Sequence, residues 1–417
     1  MSHTRSLIVL ACLAAGLLAG AWLQDGSGGS LRAAAPVIES IGSLWLNALR
    51  MTVAPLVFAL LVSGVASVSD AMATGRLATR AVMIFTALLV LAGALAVTAS
   101  TGLLALWPVD AADAQAFVAG TAGGESGPVA VGGMAGWLES LVPANVVEAA
   151  ANDAILPLVL FALLFGFAAT RLPASQRIAL TTFFTAVTEA MIVVVHWVLL
   201  AAPVGVFALA LGVGLHAGVG AAGVLVQYVA FVSLVIIVAT VLLYPLVALW
   251  GHVPLGRFAA EVAPVQVVAA STQSSLATLP AMIECARERL DVPPRVAHLV
   301  LPLAVAVFRY TSPVGNLAVC FFIAALYGFE PGTAQVAGAV LVAFAVSVAA
   351  VGLPGQVSFI TSIAPICLAL GLPVEVLGIL IAVEIVPDIF RTIGNVTADL
   401  AATTLLGRHD PDSGDQR

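Results

Sequence analysis

Long apolar segments fill most of the first 250 residues of this chain. They occupy residues 6–24, 40–68, 81–107, 150–170, 180–213 and 222–250. A helix needs about 20 apolar residues to cross the ~30 Å hydrocarbon core of a bilayer, whereas the strands of a membrane barrel have about 10 residues of alternating polarity. The length of these segments therefore predicts an all-α membrane protein that crosses the bilayer several times.

Composition supports this prediction. Of the 417 residues, 61% are hydrophobic and only 9% are charged, whereas a soluble protein of this length needs far more polar surface. The chain has no run of basic residues, which argues against a nucleic-acid partner; its surroundings are membrane lipid. The cysteines are scattered without metal-ligand spacing and are interpreted as small core residues: Cys12, Cys285, Cys320 and Cys367.

The arginines indicate the orientation in the membrane. They cluster in alternate loops and at the C-terminus, and the loop at 108–143 has none. By the positive-inside rule both termini are cytoplasmic, that loop is external, and the number of true crossings is even. We expect a bacterial inner-membrane location. The apolar run at 7–23 resembles a signal peptide but is longer than usual and is followed at once by another apolar segment, which favours a retained first helix.

Two later segments are interrupted at polar or glycine-rich positions. Residues 258–290 are broken at 271–275 (Ser-Thr-Gln-Ser-Ser), and residues 334–372 are broken at 352–356 (Gly-Leu-Pro-Gly-Gln). Each half is too short to span the bilayer, as expected of a re-entrant helical hairpin, and paired broken segments are typical of transporter binding sites. Hydroxyl groups that bond back to the helix, and ordinary Gly-Pro kinks, remain alternative interpretations.

Near the C-terminus, polar groups lie within an otherwise apolar segment. At about 100° per residue, one helix would carry them all within roughly 100° of arc. They are Glu384, Asp388, Arg391, Thr392, Asn395 and Asp399. Each charge at the bilayer centre costs about 2.5–3.5 kcal/mol, so this face must be buried in protein or line a water-filled cavity. It predicts a functional site.

These residues resemble the dicarboxylate/amino acid:cation symporter family, which includes glutamate and aspartate transporters. The strongest match is to the last-helix signature Asp-x-x-Arg-Thr-x-x-Asn-x-x-x-Asp, in residues 388–399. Shorter matches follow in the family's order: Leu-Val-Pro-Ala-Asn at 141–145, Ala-Pro-Val-Gly-Val-Phe-Ala at 202–208, Ser-Ser-Leu-Ala-Thr-Leu-Pro at 274–280 and Gly-Leu-Pro-Gly at 352–355.

The resemblance implies the family's architecture, which is eight transmembrane helices with two re-entrant hairpins, built as inverted repeats and assembled as a homotrimer. A mobile transport domain moves against a fixed scaffold. The divisions that follow are 1–70 (scaffold helices 1 and 2), 71–107 (helix 3, transport domain), 108–250 (external loop and helices 4–6, mainly scaffold), 251–408 (core of the transport domain) and 409–417 (cytoplasmic tail).

The resemblance also assigns roles to residues. Asp388 matches the position that binds the α-amino group of the substrate, and Arg391 matches the one that holds its side-chain carboxylate. The chemistry agrees, because a guanidinium binds a carboxylate through two parallel hydrogen bonds and a buried Asp accepts from an ammonium. A simple Asp388–Arg391 pair is the alternative. The whole predicted substrate set is Ser274, Ser275, Ser312, Gly355, Asp388, Arg391, Thr392 and Asn395.

One motif departs from the family. Its seventh helix carries Asn-Met-Asp-Gly-Thr, which supplies sodium ligands, but residues 308–312 read Phe-Arg-Tyr-Thr-Ser. The matching third-helix hydroxyls fall at Leu89, Ala92 and Gly93, which offer no side-chain oxygen. Arg309 is therefore predicted to replace sodium as a tethered cation, with Asp399 as the favoured counter-charge. The alternative is that the Arg309 head group reaches the membrane interface, with sodium still bound at a site of backbone carbonyls. The predicted cation-coupling set is Arg309, Glu384, Asn395 and Asp399, and the coupling ion is a proton or sodium, with no metal ligand set assigned.

Together these features predict a secondary transporter of an acidic amino acid or a related dicarboxylate with reduced or altered sodium coupling, and no cofactor. Alternatives are the same fold carrying another small organic anion, by proton coupling or facilitated diffusion, and a non-transporting receptor or channel. An intramembrane hydrolase needs a nucleophile with its base, but Glu189 and His196 on one helical face have no serine or cysteine motif beside them. We therefore expect no enzyme activity.

Overall fold

The computed structural model describes residues 3–24, 29–73, 75–121, 138–139, 141–218, 220–349 and 355–408. Within these ranges the chain is helical and contains no strand. This confirms the all-α prediction. Burial of the apolar side chains forms one large core that runs through both halves of the chain.

Eleven helices of the described chain lie between residues 3 and 250. They are α1 (His3–Gln24), α2 (Gly29–Arg50), α3 (Val53–Ala73), α4 (Arg76–Leu106), α5 (Ala111–Ala119), α6 (Val146–Ala151), α7 (Ile155–Thr170), α8 (Ala174–Leu200), α9 (Ala202–Ala217), α10 (Gly220–Val241) and α11 (Leu243–Trp250).

The remaining helices carry the broken segments and the polar face. They are α12 (Leu255–Thr272), α13 (Ser275–Glu284) with a π-helical turn (Cys285–Arg289), α14 (Pro294–Val307), α15 (Thr311–Leu326), α16 (Thr333–Ala349), α17 (Gly355–Leu370), α18 (Leu377–Leu380) and α19 (Ile385–Arg408).

Several of these helices can cross a membrane. Six stretches of the described chain are long and apolar enough: Leu7–Gln24, Ala34–Met72, Arg76–Leu106, Ala174–Leu200, Gly220–Trp250 and Pro294–Leu326. Shorter apolar helices accompany them, including α7, α9 and α16. The protein is therefore a multi-pass membrane protein.

The first predicted interruption falls between two helices. It lies between α12 and α13, where Gln273 has a φ of 50°, and the two helices pack against each other. The described helices on either side of the second predicted interruption, α16 and α17, also pack together. The glycine-rich tip at 352–354 lies outside the described residues, and Gly355 begins α17.

Helix α19 is enclosed by other helices of the chain. It packs against α4, α10, α11, α12, α13, α14 and α15. Hydrogen bonds connect it to two neighbours. Nε2 of Gln266 on α12 donates 2.8 Å hydrogen bonds to the hydroxyls of Tyr244 on α11 and Thr397 on α19. The polar face of α19 is thus turned toward protein, as its charges require.

Candidate functional site

Helix α19 carries five of the six polar groups predicted to share one helix. Glu384 is the exception, because α19 begins at Ile385. The Glu384 carbonyl accepts a 2.9 Å hydrogen bond from the Asp388 amide, so the residue lies in the turn that leads into the helix. The prediction of a single helix is corrected at this position, because Glu384 directly precedes the helix.

The guanidinium of Arg391 is held by two side chains. Its Nε donates a 2.9 Å hydrogen bond to Oε1 of Glu384, and its Nη1 donates a 2.7 Å bond to Oδ1 of Asn316. Its Nη2 is also 2.9 Å from Oε1 but forms no hydrogen bond within the described chain. Buried donors are normally hydrogen-bonded, so Nη2, although it lies in the ion pair with Glu384, keeps a capacity to donate that the described chain does not use.

Further polar groups extend this arrangement on both sides. The Tyr228 hydroxyl, on α10, donates a 2.7 Å bond to Oε2 of Glu384. Nδ2 of Asn316 donates a 3.3 Å bond to the Ser312 hydroxyl. In the described chain the ion pair of Arg391 is with Glu384, not with Asp388 one turn away. Pairing with Asp388 therefore does not account for the charge at 391.

Asp388 lies one turn before Arg391 on α19. Its carboxylate makes no hydrogen bond to a described residue, and the positive charges that act on it are those of Arg391 and Arg309. The hydroxyl of Thr392 donates to the Asp388 backbone carbonyl at 3.0 Å. The carboxylate is thus available to accept hydrogen bonds from a ligand.

Asn395 forms hydrogen bonds at the start of α15. Its Oδ1 accepts a 2.9 Å bond from the Thr311 amide, and the Thr311 hydroxyl is 2.9 Å from both Oδ1 and the Arg391 carbonyl. The side-chain carbonyl of Asn395 thereby caps the first turn of α15. Its amide nitrogen is the part left for a ligand.

The two serines of the first break have different environments. The Ser274 hydroxyl caps α13 by accepting a 3.2 Å bond from the Ala277 amide. The Ser275 hydroxyl makes no hydrogen bond within the described chain, and it stands at the start of α13, where backbone amides lack helical partners. Of the two serines, Ser275 is therefore the one that can bind an anionic group of a ligand.

Aromatic rings fill the position where the family's sodium ligands were expected. Phe308 stacks on Phe85 of α4, with ring centroids 4.6 Å apart and planes 9° from parallel. Leu89 and Ala92 are buried beside them. The Tyr310 hydroxyl donates to the Ala239 carbonyl at 3.1 Å. Because sodium requires several oxygen ligands, these side chains do not fit it.

Arg309 and Asp399 lie close to this region. Both carboxylate oxygens of Asp399 are buried and lack a hydrogen-bond partner in the described chain. Arg309 is the positive charge near Asp399, and Asp388 is a second carboxylate near Arg309. The two residues form no ion pair in the described chain.

Sequence patterns alone did not identify three residues of this site. Tyr228 and Asn316 join it from helices α10 and α15, and Gly315 allows the guanidinium to approach. Asn316 is the single amide or charged side chain in α15, which was an available signal. Tyr228 gave little signal, because an aromatic residue in an apolar helix is ordinarily a core residue.

Gly315→Ala is expected to displace the guanidinium without unfolding the protein. A Cβ at position 315 would lie 2.6 Å from both Cζ and Nη1 of Arg391, and the end of a flexible side chain can shift. We expect affinity for an acidic amino acid to fall about 10- to 100-fold, or roughly 1.4–2.8 kcal/mol. Calorimetry and thermal unfolding measure the two effects. Gly102→Ala, where a Cβ meets nothing within 4 Å, is the matched control; equal behaviour of the two variants would contradict this prediction.

The fold and site define a class of protein. A multi-pass helical membrane protein that encloses a charged face, with broken helices beside it, is built to bind a polar solute within the membrane. The profile of the Sodium:dicarboxylate symporter family matches residues 6–409, so the chain belongs to that family. It is a transporter and not an enzyme.

Curated relatives agree with this assignment. The chain is 28% identical to the proton/glutamate-aspartate symporter of Escherichia coli (strain K12) over 408 residues, covering 96% of this chain and 91% of that protein. It is 28% identical to the proton/sodium-glutamate symport protein of Bacillus caldotenax, covering 92% and 91%. It is also 30% identical to the human neutral amino acid transporter A, covering 96% and 82%. These relatives indicate a cation-coupled amino acid transporter.

Proposed function

We propose that this protein is a secondary transporter that carries an acidic amino acid, aspartate or glutamate, across a cell membrane with little or no dependence on sodium. The observation that carries the proposal is the buried guanidinium of Arg391, one turn from the carboxylate of Asp388. Its Nη2 lies in the ion pair with Glu384 but makes no hydrogen bond within the described chain. An acidic amino acid presents a carboxylate and an ammonium, which suit these two groups.

The remaining ligand groups fit the same substrate. Ser275 and the first backbone amides of α13 suit the α-carboxylate of the substrate. Thr392 and the amide nitrogen of Asn395 supply further polar groups for it. Gly355 is assigned by its motif alone. Asp388 favours an amino acid over a plain dicarboxylate such as succinate, because it would repel a molecule that offers only carboxylates.

The family architecture is part of the proposal. We infer eight transmembrane helices, two re-entrant hairpins formed by α12–α13 and α16–α17, and a transport domain (71–107 and 251–408) that moves against the scaffold of a homotrimer. The names of the relatives differ in substrate, from glutamate and aspartate to neutral amino acids. The acidic assignment therefore rests on Arg391.

Weak sodium dependence is supported by the aromatic stack at Phe85 and Phe308. These rings and the Tyr310 hydroxyl, whose proton is committed to a backbone carbonyl, replace oxygen ligands. No transport step through sodium is therefore assigned to these side chains. Uptake is then driven either by coupled protons or by the concentration gradient of the substrate itself.

Uptake into proteoliposomes tests the proposal. We expect radiolabelled L-aspartate uptake to be the same within about twofold in sodium and choline buffers, and excess succinate or L-alanine to compete weakly. Asp388→Asn should lose uptake at least tenfold while retaining the fold. Strict sodium dependence would contradict the coupling. Uptake of L-alanine but not of aspartate would assign a neutral substrate instead.

A further inference from the structure

A basic pocket lies where helices α4 and α14 begin. Its volume is about 410 Å³, and it is lined by residues 75–78 of α4 and by Arg295, His298 and Leu299 of α14. The two helices pack against each other, and each begins a stretch that is long and apolar enough to cross a membrane. We therefore expect this pocket at the boundary between membrane and water.

The side chains of the pocket suit an anion. Arg76, Arg295 and His298 line it, and all three are exposed. A guanidinium binds a phosphate group through two parallel hydrogen bonds, and an imidazole can donate one more. The first turn of each helix contains no acidic residue, so neither turn adds a negative charge to the pocket. The anion that fits this set best is a phosphate group.

The backbone of α4 favours an anion as well. No side chain caps this helix at Gly75, and residues 75–78, which line the pocket, form its start. The first amides of a helix have no helical acceptors, and the helix dipole gives this end a partial positive charge. Phosphate groups bind at such helix N-termini. Backbone and side chains thus favour the same ligand chemistry.

The surface that continues from the pocket is apolar. On α4, Met83 and Val90 lie about two and four turns beyond Arg76 on the same helical face, and they are 56% and 61% exposed. On α14, Leu299 lines the pocket, and Pro302 is exposed one turn later. A soluble phosphate compound gains nothing from this surface. A phospholipid carries both a phosphate group and apolar chains, so it matches the pocket and the surface together.

We propose that this pocket binds the phosphate group of an anionic phospholipid, whose acyl chains lie along the exposed apolar faces of α4 and α14. The predicted orientation places the pocket on the cytoplasmic side, where the membrane leaflet is anionic. Basic pockets between membrane helices on that side are suited to anionic headgroups. The inference does not depend on which solute the protein carries.

Competition between two lipids tests the site. The delipidated protein is mixed with equal amounts of phosphatidylglycerol and phosphatidylcholine of the same acyl chains, and the bound lipids are counted by native mass spectrometry. We expect the wild type to prefer phosphatidylglycerol. Arg76→Gln/Arg295→Gln should reduce that preference about 30-fold, because each arginine near an anionic surface contributes roughly a factor of five. Arg76→Gln alone should reduce it about fivefold, and it serves as the test if the double variant fails to fold.

A matched control separates the pocket from general charge. Arg171→Gln/Arg287→Gln removes two exposed arginines that do not line the pocket, and it should keep the preference of the wild type. Thermal unfolding gives a second measurement, because a ligand that binds only the folded state raises the midpoint. Phosphatidylglycerol should raise the midpoint of the wild type and the control more than phosphatidylcholine does. This difference should disappear in Arg76→Gln/Arg295→Gln.

Three results would overturn the inference. The first is equal binding of the two lipids by the wild type. The second is an equal loss of preference in the pocket variant and the control, which would show a general effect of arginine charge. The third is displacement of phosphatidylglycerol by excess inorganic phosphate, which would assign the pocket to a soluble phosphate compound instead of a lipid.

Discussion

Replacing Arg391 with alanine is expected to abolish binding of aspartate and glutamate. Loss of one partner from a buried, hydrogen-bonded charge pair typically costs about 2–5 kcal/mol, which corresponds to a loss of affinity between roughly 30-fold and several thousand-fold. The same change removes the donor to Asn316 and leaves Glu384 bonded to Tyr228 alone. Calorimetry with the purified variant measures the effect, and an unchanged affinity would contradict the assignment.

The unpaired Glu384 complicates the interpretation of this single variant. A buried carboxylate without a cation destabilises the site by itself, so part of the loss reflects Glu384 and not the missing contact with substrate. The double variant Arg391→Ala/Glu384→Gln removes both charges. We expect it to regain stability but not affinity for aspartate, and to bind L-alanine at least as well as the wild type. Arg171→Ala, an exposed residue at the end of α7, serves as a control.

Arg391→Lys adds a geometric test. Lysine keeps the positive charge but presents a single ammonium in place of a planar fork, so it cannot bond Glu384 and Asn316 in the present geometry. We expect aspartate affinity to fall at least tenfold. An affinity equal to that of the wild type would show that charge alone, and not the fork, recognises the substrate.

Much of the fold could be predicted from the sequence because each signal is local. Apolar length identified the membrane-crossing helices, and the polar interruption at 271–275 marked the break that separates α12 from α13. The periodicity of the polar residues placed Asp388, Arg391 and Asn395 on one helix. In each case, neighbours along the chain determine the structure.

The partners of these residues could not be predicted in the same way. Periodicity did not show which of the nearby carboxylates pairs with Arg391, and the structure shows that it is Glu384, seven positions away. Tyr228 is 156 residues from Glu384 along the chain, and Asn316 is 75 from Arg391. Periodicity carries no information across such distances. The Phe85–Phe308 stack was missed for the same reason, although the loss of oxygen ligands at both helices was visible.

The buried carboxylate of Asp399 is the basis for a second large expected effect on aspartate uptake. It is 1% exposed, and neither oxygen has a hydrogen-bond partner in the described chain. An uncompensated buried charge destabilises a protein by several kcal/mol. Arg309 is the cation that acts on it, and it stands in the break between α14 and α15, where the family motif is replaced. We therefore propose that Arg309 is a tethered cation in place of sodium, with Asp388 and Asp399 as the nearby carboxylates.

Arg309→Ala is accordingly expected to reduce aspartate uptake at least tenfold in both sodium and choline buffers. Asp399→Asn in the same chain should recover much of that loss, because it removes the charge that Arg309 offsets. Asp388→Asn in place of Asp399→Asn should not recover it, since Asp388 is needed for the substrate ammonium. The three variants, compared by initial uptake rates, thus distinguish the two carboxylates that attract Arg309. If Arg309→Ala transported normally in a protein that requires sodium, Arg309 would be a peripheral arginine whose head group reaches the membrane surface, and the cation role would be excluded.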